Sequence, residues 1–278
     1  YYVEYHHYNP TDLFKLPISS WPFEMGFTIL MLSCKAIYND YQFFVLVCSI
    51  IDITLLFSFL KRYINNIPLA IIICLCMNGL GILTDLMRNS IAILIVANAL
   101  VWIEKRKPIP FFLSCIVAFT FHISAVIYFP LYFFLHRKLN KWMYLSIFLA
   151  GNIVYLFHIP VFLSIVELVA KFISSDLQYK IGEYMSLMPD AGFRLSIGYL
   201  ERLLTGGLVF CFMNKLRSIR KGNDIFINSI LIYYSLFFFF SEFQVISQRL
   251  SYLFSFGYWI VWIDLIQCFS IQNNKRLY

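Results

Sequence analysis

Two ionisable side chains inside long apolar runs of this chain stand out for the chemistry they could do. They are Arg88, in Met87-Arg88-Asn89-Ser90-Ile91-Ala92, and His122, in Phe121-His122-Ile123-Ser124-Ala125. A third polar stretch late in the chain, Glu242 to Ser251, carries Gln248 and Arg249. In hydrocarbon an arginine costs about 3 kcal/mol at mid-span unless it faces water, a partner or a substrate, so its retention there points to use. Arginine presents a planar fork of donors matched to phosphate oxygens. A neutral imidazole, with an ordinary pKa of about 6.5, accepts a proton at neutral pH. The three stretches are expected to meet near the outer face of a membrane and to handle an anionic, lipid-linked substrate there.

Arg88, Arg194, Arg202 and Arg249 all fall at or near the outer ends of expected spans. Arginines converging on an outer-leaflet cavity suit a pyrophosphate. The structural alternative pairs them with Asp85, Glu201 and Glu242, or lets them snorkel to the interface. For His122 the structural alternative is an imidazole that hydrogen-bonds a carbonyl where the chain turns back. Ser124 has no G-x-S-x-G context and is not read as an acyl nucleophile. His6 and His7 read as surface histidines. The seven cysteines lie in apolar runs and behave as small hydrophobes. Cys74-Leu75-Cys76 lacks the spacing and neighbours of a zinc site, and no Asp-x-Asp pair appears in an outer loop, so no metal and no cofactor are expected.

The elements that must position these residues follow from composition. The 278 residues are 60% hydrophobic and only 13% charged, against about 25% charged in an average soluble domain. Such a chain is expected to be all-α: a polytopic membrane helix bundle, forming one domain over residues 1–278. The net charge of +7 reflects basic cytoplasmic loops before any anionic ligand. Nucleic-acid binding is excluded, because the basic residues fall in short separate loops.

Basic clusters at 105–107, 137–141, 215–221 and 275–276 set one orientation by the positive-inside rule. Residues 158–196, the longest polar stretch, then form an extracytoplasmic loop, and 242–249 lie outside. Ile109 to Leu135 is flanked by basic residues on both sides. Roughly 12 residues each way rise about 18 Å, too little for two crossings of a ~30 Å core. The spacing predicts a re-entrant helical hairpin with His122 at its tip; the alternative is one tilted helix with Arg137 outside. Trp21 to Tyr38 is not settled by this rule: if Lys61 and Arg62 are cytoplasmic, the stretch is interfacial or re-entrant, or else the first segment lies inside. The chain opens on Tyr1, and one or more preceding spans are expected.

Met87-Arg88-Asn89-Ser90-Ile91-Ala92, a basic loop, then Ala118-Phe-Thr-Phe-His122-Ile-Ser124-Ala125 and Pro130-Leu-Tyr132 resembles the EpsG-like family, grouped with Wzy-type O-antigen and capsular polysaccharide polymerases. Glu24-Met-Gly26-Phe27 after a Tyr-rich lead, and Gln248-Arg249-Leu-Ser-Tyr252, add weaker matches. Asn89 stands where many members have Gln, so an amide is kept.

The resemblance implies a glycosyltransferase of the bacterial inner membrane. It would join undecaprenyl-pyrophosphate-linked oligosaccharide repeat units at the outer face, for lipopolysaccharide, capsule or exopolysaccharide. His122 would be the base, with Glu242 or Glu24 as the other candidate. Arg88 and Arg249, helped by Arg202 and Arg194, would hold the pyrophosphate. Asn89, Ser124, Gln248, Glu24 and Tyr184 would contact the substrate. Membrane lipid and a chain-length regulator protein are the implied partners. A membrane acyltransferase acting on a surface glycan and a lipid-linked oligosaccharide flippase remain the alternatives.

Overall fold

Away from water, backbone N–H and C=O groups must satisfy one another, so the apolar runs fold as helices. A computed structural model describes residues 1–15, 17–162 and 195–269. It is 79% helix, with no strand among the described residues. Three helices are long and apolar enough to cross a membrane: Tyr41–Tyr63, Ile67–Asp85 and Met87–Glu104. The chain divides into two compact units, Tyr1–His136 and Arg137–Tyr278.

In the first unit, the Asp40 side chain accepts from Gln42 N at 2.9 Å and caps Tyr41–Tyr63. Leu46, Ile50, Ile53 and Phe57 form an exposed apolar stripe on this helix. Phe44, Cys48, Asp52, Leu56 and Phe59 are buried on the other side. An apolar exposed stripe is what a lipid-facing helix presents. Ile67–Asp85 is interrupted by a π-turn at Leu75–Gly79, with Asn78 in the left-handed region (φ 60°). Met87–Glu104 is the centre of the unit: 61% of its apolar window is buried, against 33% and 28% for the other two spans. It packs against Tyr41–Tyr63 and against Pro108–Phe121.

Hydrogen bonds fix the relative directions. Ser90 Oγ lies 2.7 Å from Asp52 Oδ2, and Arg62 Nη1 donates to the Asn98 carbonyl at 2.6 Å. The pairs advance together along both helices, so Tyr41–Tyr63 and Met87–Glu104 run parallel. Lys61 and Arg62 therefore share an end with Glu104 to Lys107. A tight turn follows, with Arg106 at φ 57° and Pro in the first turn of Pro108–Phe121. This 14-residue helix is about 21 Å long and brings His122 back beside Asn89.

His122 is extended (φ −155°, ψ 130°) and ends the helix. A 3-10 segment, Ile123–Tyr128, and a short helix, Leu131–Phe134, follow. Phe112 meets Phe129 at 6.1 Å and Phe111 meets Tyr132 at 5.6 Å, so the chain folds back on itself about His122.

The 13-residue Met25–Ile37 helix is about 20 Å long. Phe27, near its start, contacts Phe44 at 5.5 Å, and Tyr38, just past its end, contacts Phe43 at 5.8 Å. Both ends touch the first turns of Tyr41–Tyr63, so this helix lies across that end of its neighbour instead of running beside it. Buried Lys35 donates to the carbonyls of Tyr5 (2.7 Å) and Tyr8 (2.6 Å), tying down the end of the Tyr2–His7 helix. Gly26 permits the approach to Pro108–Phe121, because a Cβ there would run into the Thr120 side chain.

In the second unit, Asp224–Phe239 packs against Lys141–Leu156, Ile197–Ile219, Gln244–Tyr252 and Ser255–Cys268. Its basic residues gather the loops at one end. Arg217 pairs with Asp224 (2.7 Å) and donates to the Leu139 carbonyl (2.6 Å). Arg220 pairs with fully buried Asp264 (2.8 Å), and Lys215 donates to the Cys268 carbonyl (2.6 Å). Residues 137–139, 215–224 and 264–268 thus share one end of the unit. At a separate place Phe162 stacks on Phe240 at 4.1 Å.

Candidate functional site

The chemistry-bearing residues of the first unit converge where Met87–Glu104 begins. Arg88 stands in the first turn of that helix. Its Nη1 pairs with Glu24 Oε2 at 2.5 Å, and its Nε donates to Tyr1 Oη at 3.3 Å. The guanidinium lies over the Phe23 ring at 4.7 Å and the Tyr1 ring at 5.6 Å, an aromatic setting that holds a cation by its ring faces. Of the acids in question as arginine partners, Asp85, Glu201 and Glu242, none pairs with Arg88; its partner is Glu24, the residue just before Met25–Ile37. Asp85 instead accepts from Thr84 Oγ1 at 3.1 Å.

The second Glu24 oxygen accepts from the backbone N–H of Ile123 at 3.1 Å. One carboxylate therefore ties the start of the Arg88 helix to the residue after His122. Burial pushes the Glu24 carboxyl up, but its own and the Ile123 backbone N–H groups, Arg88 and His122 more than offset this, leaving it below its ordinary value. A carboxyl depressed in the folded state contributes stability above its unfolded pKa and loses it as pH falls through the folded one. Glu24→Gln is accordingly expected to cost about 1 kcal/mol at neutral pH, because the pair is only partly buried. The gap should close once acid protonates the wild-type carboxylate. Thermal unfolding of both proteins across the acid range measures this, and a gap independent of pH would count against the latch.

His122 Nδ1 accepts the backbone N–H of Ser124 at 3.1 Å and lies 2.7 Å from Ser124 Oγ. Ser124 Oγ is also 3.1 Å from the Asn89 side-chain oxygen position. The amide can donate only to a bare ring nitrogen, so a neutral His122 carries its proton on Nε2. As placed, the Ser124 hydroxyl donates to Asn89 Oδ1; turning the Asn89 amide would let its N–H donate to Ser124 Oγ and free the hydroxyl hydrogen for His122 Nδ1. Asn89 is buried, while His122 and Ser124 are neither fully buried nor open.

The second unit gives its residues different settings. Arg202 Nη1 donates to the Gly198 carbonyl (2.7 Å) and Nη2 to Tyr233 Oη (3.1 Å), with the guanidinium 4.0 Å from the centre of the Phe237 ring. Glu201 accepts from Thr205 Oγ1 at 2.6 Å. Glu242 Oε1 accepts the backbone N–H of Phe162 at 2.5 Å. Gln248 is half-buried and Arg249 is exposed, both on Gln244–Tyr252. Arg194 and Tyr184, with most of the 158–196 loop, lie outside the described residues.

Tyr1 and Phe23, which surround Arg88, were not singled out from the sequence; an aromatic residue one position before Glu24 carries no distinguishing pattern. Among the described residues no group of three His, Cys, Asp or Glu side chains is placed to hold a metal ion. No curated protein and no solved structure matches the chain. The EpsG family model matches residues 1–278, and the chain therefore belongs to the EpsG family, polysaccharide-polymerase-like membrane proteins of the Wzy type.

Proposed function

We propose that the chain is a glycosyltransferase joining undecaprenyl-pyrophosphate-linked oligosaccharide repeat units at the outer face of the bacterial inner membrane. The observation that carries this reading is the single network in the first unit, where Glu24 bridges Arg88 to the turn in which His122 and Ser124 meet Asn89. Glycosyl transfer from a pyrophosphate needs both parts: a cation at the leaving group and a proton acceptor at the attacking hydroxyl.

In this reading a sugar hydroxyl of the acceptor unit attacks the anomeric carbon of the growing chain. The new C–O bond forms as the bond to pyrophosphate breaks, and undecaprenyl pyrophosphate leaves with the electron pair. A guanidinium has donors beyond the two that Arg88 gives to Glu24 and Tyr1, and in this reading those would take the pyrophosphate oxygens. Arg249, Arg202 and Arg194 are the further candidates for holding the pyrophosphate. The hydroxyl proton passes to Ser124 Oγ as Ser124 gives its own to His122 Nδ1, so His122 is the base through a relay. Glu242 is the second candidate base. Asn89, Ser124, Gln248, Glu24 and Tyr184 are the candidate substrate contacts.

On the same reading residues 1–278 form one polytopic domain, with residues 158–196 its extracytoplasmic loop and Ile109 to Leu135 a re-entrant hairpin. A chain-length regulator is the expected protein partner. Purified protein with lipid-linked repeat units is expected to give a ladder of chain lengths. Acyl transfer without lengthening, or transport without a new glycosidic bond, would overturn the reading.

The orientation has its own test. Positions 105–107, 137–141, 215–221 and 275–276 are expected to be cytoplasmic, and 174–194 and 242–249 outside. In intact cells carrying a cysteine-free background, a cysteine at position 180 should label from the outside. Labelling only after the inner membrane is permeabilised would invert the topology.

A further inference from the structure

Asp52 is an acid in the middle of the apolar Tyr41–Tyr63 span, 3% exposed, and the polymerase reading gives it no task. Its Oδ2 lies 2.7 Å from Ser90 Oγ, and its Oδ1 has no hydrogen-bond partner among the described residues. Cys48 one turn earlier and Leu56 one turn later are buried with it, and Ile91 of the facing helix joins the same apolar cluster. The nearest basic side chain along the facing helix, Arg88, is committed to Glu24.

Ser90 has one hydroxyl hydrogen and two oxygens within reach, Asp52 Oδ2 at 2.7 Å and the Met87 carbonyl at 3.0 Å. With Asp52 ionised, Ser90 must choose between them, and a carboxylate remains buried without a counter-charge, the costliest arrangement for such a group. With Asp52 protonated, the carboxyl O–H donates to Ser90 Oγ and Ser90 donates to the Met87 carbonyl. Both short contacts are then hydrogen bonds with a hydrogen in each, and the group left over is a neutral carbonyl oxygen.

We propose that Asp52 is held as the neutral carboxylic acid and acts as a positioning residue, fixing through Ser90 the first turn of Met87–Glu104. That turn carries Arg88 and Asn89 between the two residues that the hydroxyl links. The consequence for elongation rests on the polymerase reading; the protonation state and the order of the turn do not.

The test uses the full chain in lipid nanodiscs at neutral pH. Wild type should show an infrared carboxylic-acid C=O band that Asp52→Asn removes. Asp52→Asn, neutral and still able to donate to Ser90, should keep hydrogen exchange of the 87–91 amides and the product ladder within about twofold of wild type. Asp52→Leu and Ser90→Ala should each speed exchange in that turn and lower elongation on the order of tenfold. Ser90→Ala keeps the proposal testable if Asp52→Leu does not fold.

Absence of an acid band assignable to Asp52 would overturn the protonation claim. Unchanged exchange in both Asp52→Leu and Ser90→Ala would overturn the positioning claim. A well-folded Asp52→Asn that no longer elongates would show that the charge or the proton is used, which also sinks it. If wild type itself makes no ladder, the polymerase reading fails while the band and the exchange still decide on Asp52.

Discussion

His122→Gln is expected to insert, fold and bind lipid-linked substrate, and to elongate it 10²–10⁴-fold more slowly, on the order of the contribution of a general base. The reason lies in the ring nitrogens. Nδ1 both accepts the Ser124 amide and sits 2.7 Å from Ser124 Oγ, so removing the imidazole removes a cap and a proton acceptor together. A second variant separates the two. His122→Asn places a side-chain oxygen near the Nδ1 position, and Asn is among the best helix-start caps. If His122 only caps the turn, Asn restores elongation. If it takes the proton, Asn and Gln are equally slow while both proteins stay folded. Ladders and substrate binding followed on the same preparations give the answer, and full-rate elongation by either variant would move the base to Glu242.

Arg88→Lys is expected to lose elongation by about 10²–10³-fold, the range seen when a preorganised donor to developing charge is removed. Lysine keeps the charge but not the fork. The guanidinium here makes an ion pair to Glu24, a hydrogen bond to Tyr1 and a ring-face contact with Phe23 at once. An ammonium that satisfies Glu24 has no planar second edge to offer a pyrophosphate. Arg249→Lys, from an exposed arginine, should follow with a smaller loss. Initial rates against undecaprenyl-pyrophosphate-linked units, with unfolding followed in parallel, provide the measurement. Near-normal rates from both variants would leave Arg88 as a structural partner of Glu24.

The fold class was legible in the sequence because it depends on composition and on the length of apolar runs. Sixty per cent hydrophobic residues in runs broken by basic loops admit only membrane helices for a chain of this kind. Arg88 and His122 stood out as candidates for the same reason: a group that is expensive in its surroundings is conspicuous by type alone. Asp52 meets that criterion too, as the one acidic residue of the Tyr41–Tyr63 helix.

What the sequence could not decide is who meets whom. Glu24 lies 64 positions from Arg88 and 99 from Ile123, and no local pattern spans such distances. The pairing depends on three tertiary facts. Met25–Ile37 lies across the end of Tyr41–Tyr63, Gly26 lets it approach Thr120, and Pro108–Phe121 is long enough to bring His122 level with Asn89. The tautomer of His122 was equally out of reach, since it is set by a backbone N–H two residues on that points at the ring only because the helix breaks there. Composition determines that the polar groups must be used; the packing of helices brought from distant parts of the chain determines which of them are used together.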